Sequence, residues 1–133
     1  MSNIAQPSDL LAQAQTYEDA ADALSPKVAD ASIALKDREQ IFTQSMALRS
    51  QAFTLRTHAA GGIIIDLQND VAALQLRIDT AKQVLSKIAK VKALIDLASG
   101  LANMATAVTT GQPAGITSAL AALQKTLGKT KVV

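Results

Sequence analysis

Few side chains in this sequence are suited to acid–base or metal chemistry, and their spacing gathers none of them into a set. The single histidine is His58. An imidazole can serve as a base or a metal ligand near neutral pH. A second ligand would be needed one turn earlier on the same helical face, and Thr54 and Leu55 stand there. His58 instead suits the last turn of a helix, where a cation faces the negative end of the dipole. Asp66 and Asp70 lie four apart, the spacing that puts two carboxylates on one helical face, and Glu18, Asp19 and Asp22 form a second acidic patch. Paired carboxylates can share acid and base roles or hold a divalent ion. These lack a loop of alternating oxygen ligands and any paired histidine, so they read as helix-start and surface acids. There is no cysteine, which excludes disulfides, thiolate metal sites and a cysteine nucleophile. No nucleophile elbow, phosphate-cradling glycine loop or zinc spacing appears. The expectation is a protein that is not an enzyme, with no cofactor, no metal and no evident small-molecule substrate.

The remaining candidates are surfaces. Arg49 and Arg56 are seven apart and flank Phe53, and Phe42 and Met46 continue the same side of one predicted helix. Phe42, Met46, Arg49, Phe53 and Arg56 therefore form a candidate partner-binding ridge, unless the arginines lay their stems over the core. Lys82, Lys87, Lys90 and Lys92 are clustered and are candidate contacts for an anionic surface. Charge is uneven along the chain. Residues 1–30 hold five acids against Lys27, residues 31–79 hold five acids and five bases, and residues 80–133 hold seven lysines against Asp96. The simplest expectation is that the acidic first helix lies against the basic later one. Nucleic acid is a poor candidate partner, because neither arginine nor aromatic residues accompany the lysines after Arg77.

Residues 97–124 carry no charge and are rich in Ala, Gly, Ser and Thr. Ala98, Ala102 and Ala105 recur at helical spacing and permit close helix approach. Three readings compete for this segment: a buried helix pair closing a bundle, an exposed interface, or a membrane-inserting hairpin. Each helical half, of about 12 residues, is shorter than a bilayer span.

These side chains must be positioned by helices. Of the 133 residues, 49% are hydrophobic but only 2% aromatic, namely Tyr17, Phe42 and Phe53. The core must come from Leu, Ile, Val and Ala, and this composition favours helix over sheet. A first helix is expected over 8–24, capped by Ser8 or Asp9 and carrying Leu10, Ala14, Tyr17, Ala21 and Leu24 on one face. Ser25-Pro26 should end it and start a second helix, over 26–60. Along that helix Ile41, Leu48 and Leu55 recur every seven residues, with a neighbouring ridge of Leu35, Phe42, Met46 and Phe53. Gly61-Gly62 is the strongest break and reads as a tight turn. After it Ile64, Leu67, Val71, Leu74, Ile78, Ala81, Leu85 and Ile88 alternate spacings of three and four, a coiled-coil signature. The third helix is expected over 63–98, where Ser99-Gly100 can end or bend it, with a continuation to 109 as the alternative. A loop follows at Thr109 to Pro113, then a helix over 113–127 with Ile116, Leu120, Leu123 and Leu127 on one face, and a frayed tail at 128–133.

The expected fold is a single all-α domain, an up-and-down bundle of four or five helices around a long antiparallel coiled-coil-like hairpin of 26–60 and 63–98. The expected function is helix-face recognition of a protein partner or of itself. A membrane-active or secreted effector role using residues 97–124 is the alternative. The start of the sequence lacks a basic region followed by an apolar run, so no cleaved signal peptide is expected and the default location is the cytoplasm. Export without such a signal is compatible with this reading.

Overall fold

The computed structural model describes residues 2–129 and shows an all-α bundle of five helices: α1 (Pro7–Val28), α2 (Leu35–Ala60), α3 (Val71–Leu85), α4 (Val91–Thr110) and α5 (Pro113–Lys129). Residues 130–133 of the expected tail lie outside the described residues, and Gly128 belongs to α5 rather than capping it.

Helix α1 starts two residues earlier than the expected caps. Gln6 is the N-cap, Pro7 takes the first helical position, and Asp9 reaches back to accept the Gln6 N–H at 2.8 Å. Pro26 does not divide two helices. It sits in the last turn of α1, close enough to the end that the helix runs on to Val28. The stop comes at Asp30, whose carboxylate accepts from the Ser32 N–H (2.9 Å) and hydroxyl (2.6 Å). These bonds fold a local turn and hold the Asp30 carboxyl below its usual range. Buried Ile33 anchors that turn, and the Arg38 guanidinium donates to the Ile33 carbonyl at 3.0 Å.

Gly61-Gly62 forms a turn, with Gly62 at φ 71°, a conformation that favours glycine. The next residues are not helical. Three consecutive β-branched residues, Ile63 to Ile65, favour extended chain. A two-residue strand β2 (Ile65–Asp66) pairs antiparallel with β1 (Ile4–Ala5), and the Val71 N–H donates to the Ser2 carbonyl at 2.8 Å. Asp70 caps α3 by accepting from the Ala73 N–H at 3.2 Å. Asp66 therefore lies outside the helix, and Asp66 and Asp70 do not share a helical face.

The single long helix expected over 63–98 is two helices. The chain leaves helix at Ser86 and re-enters at Val91, with Ile88 buried between. The heptad register shifts at this point, and the break lets α4 turn a different face inward, Leu94, Leu97, Ala98 and Leu101. No Gly or Pro marks it. Helix α4 then continues through Gly100, where an added Cβ would stand 3.3 Å from the Leu123 side chain of α5, a close contact.

The hairpin also differs from expectation. It forms between α1 and α2, which pack along their lengths, and the other flank of α2 lies on α4. The seam of α3 (Val71, Leu74, Ile78, Ala81, Leu85) is buried, but mainly against α1, with α4 and α5 beside it. The three-four spacing reported an amphipathic bundle helix, and α2 is not its principal partner.

Candidate interaction face on α2

Helix α2 carries two apolar faces. Ile41, Leu48, Ala52, Leu55 and Ala59 are buried against α1 and α4. Leu35, Phe42, Met46 and Phe53 are not: they are 62%, 52%, 50% and 72% exposed. At about 3.6 residues per turn and ~1.5 Å per residue, these four fall within about 40° of arc and along about 27 Å of helix. They form one stripe rather than scattered surface residues. The largest apolar patch on a monomer is typically about 300–600 Å² and is often functional.

The two arginines of the expected ridge are already engaged. Arg49 donates to Asp22 at 2.9 Å and to the Ser25 hydroxyl at 3.3 Å. Arg56 donates to both oxygens of Glu18, at 3.1 and 2.9 Å, and to the Gln15 amide oxygen at 3.3 Å. The Glu18 hydrogen bonds hold the Arg56 guanidinium more firmly in its charged form. The five ridge residues thus separate into three apolar side chains facing solvent and two arginines clamping α2 to α1. Two acids of α1, Glu18 and Asp22, are met by α2 rather than by the lysine-rich later chain, while Asp9 and Asp19 accept hydrogen bonds from Gln6 and Gln15 beside them. At the start of α2, Leu35 and Phe42 join Val28, Arg38, Glu39 and Thr43 around an open groove of about 390 Å³.

The lysines are dispersed. Lys87, Lys90 and Lys92 are exposed and Lys82 is half-buried. Among the described residues none of them enters an ion pair. Lys90 and Lys92 share a shallow groove between α4 and α5 with Lys129 and Asp96, whereas Lys82 and Lys87 do not line it. His58 is half-buried in the last turn of α2, 3.4 Å from the Thr109 carbonyl oxygen. Among the described residues no group of three His, Cys, Asp or Glu is placed to hold a metal.

The α4 half of the uncharged segment faces inward, while the α5 half is mostly exposed. Leu97, Ala98, Leu101, Ala102, Met104, Ala105 and Val108 are buried, as are Ile116 and Leu123 of α5. Helix α4 is one continuous helix of 20 residues, longer than expected, and by length and composition it could cross a membrane. In this fold its largest apolar side chains fill the core.

Two features had no sequence signal. Thr16 of α1 donates to Asp79 at 2.8 Å, and Gln75 donates to both, tying α1 to α3. Gln13 and Tyr17, one turn apart on α1, are fully buried with the Gln13 amide and the Tyr17 hydroxyl unpartnered. Burial pushes the Tyr17 phenol well above its usual range.

No protein-family model matches this chain, and no curated protein or solved structure is significantly similar to it.

Proposed function

We propose that this chain is a non-enzymatic helical interaction module, and that it recognises an apolar helical surface through the exposed stripe of α2. One observation carries the reading. The bundle has a filled core, yet four large apolar side chains remain on one narrow line of its longest helix. Being 50–72% exposed, each forgoes about half to seven-tenths of the roughly 1.5–3 kcal/mol that full burial of such a side chain gives. Helix-in-groove recognition uses anchors at this kind of spacing. Replacing Phe53 by Asp tests it. The variant should keep wild-type helicity, and the melting behaviour of the dilute, unassociated chain, while losing association. Loss of the fold would make Phe53 a core residue and remove the proposal's basis.

A second reading rests on α4, whose length and composition suit a bilayer. It requires the bundle to open, because Leu97, Leu101, Met104 and Val108 are buried in it. Co-sedimentation with anionic and neutral vesicles, with dye leakage followed in parallel, separates the two. Leakage supports the membrane reading. Salt-sensitive binding without leakage points only to the exposed lysines.

A further inference from the structure

We infer that the occupant of the α2 stripe is a second copy of this chain, docked antiparallel about a twofold axis beside position 44. The inference rests on the interaction reading above and names its partner. The spacing of the stripe carries it. Leu35 and Phe53 each lie nine residues from position 44, and Phe42 and Met46 each lie two residues from it. The stripe therefore reads the same in both directions. When two such helices run antiparallel about a twofold axis, Leu35 of one copy faces Phe53 of the other, and Phe42 faces Met46. Every exposed apolar side chain meets another, as an isologous interface requires. A parallel pair would match like with like at any spacing. The symmetry about position 44 is a property that only the antiparallel arrangement uses.

A second observation falls at the place this register specifies. Phe53 is the most exposed of the four side chains. In the antiparallel pair it arrives opposite Leu35, where Val28, Leu35 and Phe42 line the groove at the start of α2. That groove, about 390 Å³, is open and large enough to take an aromatic ring. Phe53 of each copy is thus a knob and the groove of the other copy is its hole. Two such insertions flank the central Phe42–Met46 contacts. Exposed apolar side chains of this size remove on the order of 1,000 Å² from water in total when two copies meet. That area lies below the range of stable dimers and within that of weak, transient ones, so the monomer and dimer should interconvert over a concentration range open to ultracentrifugation.

The sequence has no cysteine, so thiols can be placed at will. Glu39→Cys and Ser50→Cys lie on the same flank of the stripe, at levels that the antiparallel register brings together, and they leave all four apolar side chains in place. Mixed chains bearing one substitution each should be joined by a short bismaleimide into a heterodimer. Either variant alone should cross-link poorly, since identical positions are then about 15 Å (position 39) or about 18 Å (position 50) apart along the axis. Sedimentation equilibrium should show dimer for the wild type and monomer for Phe53→Asp at the same concentration. Phe42→Ser is a second variant and should weaken the dimer likewise, with circular dichroism confirming the fold of both. A wild-type chain that is monomeric at every concentration overturns self-pairing. It leaves the interaction reading standing if a defined partner still binds in a Phe53-dependent way. A dimer in which each cysteine variant cross-links to itself as well as to the other overturns the antiparallel register. A dimer indifferent to both Phe53→Asp and Phe42→Ser overturns the inference and the interaction reading together.

Discussion

Helices α2 and α4 divide apolar residues in opposite ways. Helix α4 has two charged residues, Lys92 and Asp96, and it is the helix whose composition suits a membrane. Yet its large residues are spent on the core: Leu94, Leu97, Leu101, Met104 and Val108 are all buried. Helix α2 has six charged residues, Lys36, Asp37, Arg38, Glu39, Arg49 and Arg56, and it carries four of the large apolar side chains left in water. Average hydropathy does not decide what a helix exposes. The decision lies in how apolar residues are arranged around the axis and how many neighbours cover them. Helix α4 is covered by α1, α2, α3 and α5, whereas α1 and α4 cover only one arc of α2.

Truncations on the two helices should separate most widely. Leu101→Ala removes a fully buried side chain at the centre of α4 and should cost about 2–5 kcal/mol in urea unfolding. Phe53→Ala on α2, measured in dilute chain where no partner copy is bound, should change stability by no more than about 0.5 kcal/mol, the range for surface sites. Equal costs would erase the distinction.

Helix α1, which covers both of the others, has its own weakness. Gln13 is buried without a partner for either amide atom, a situation that costs roughly 1–3 kcal/mol. Gln13→Met keeps the length of the side chain and should stabilise the bundle by about 1 kcal/mol in the same assay. The neighbouring Tyr17 gives a pH test. Its folded pKa is raised, so its contribution is fully present below the unfolded value of about 10 and is lost as pH rises above it. Stability should fall there by up to about 1.4 kcal/mol per pH unit. Tyr17→Phe should remove that part of the alkaline decline, and unchanged alkaline sensitivity would place the Tyr17 hydroxyl in solvent.

The smallest effect concerns the arginines that fix the edge of the α2 stripe. The Arg56–Glu18 pair is bidentate but about a third exposed, so Arg56→Gln should cost no more than about 1 kcal/mol and less in high salt. A salt-independent cost would assign Arg56 a packing role instead.

Much of this is legible in the sequence. The face of α1 (Leu10, Ala14, Tyr17, Ala21 and Leu24) is buried as its spacing required, and Gly61-Gly62 and Gly111 end helices as glycine in such positions should. The apolar ridge on α2 was visible as a second period on one helix. Its exposure was not, because that depends on which neighbours arrive and where. The α3 heptad specified a buried seam but not its partner, since α1 and α2 both offer apolar faces. Pro26 suggested a boundary because proline usually breaks helices, whereas a proline in a final turn interrupts little. The break between α3 and α4 carried no Gly or Pro, and the only trace of it was the register shift near Lys92.

The contrast between α2 and α4 can be read directly from two methionines. Met46 stands half-exposed in the α2 stripe and Met104 is fully buried in α4. Methionine oxidation follows solvent access. Dilute chain treated with mild peroxide and mapped by peptide mass should accumulate sulfoxide at Met46 and spare Met104. Raising the protein concentration should then protect Met46 as the stripe becomes covered. Oxidation of Met104 as fast as Met46, or Met46 oxidation unchanged at every concentration, would contradict the account.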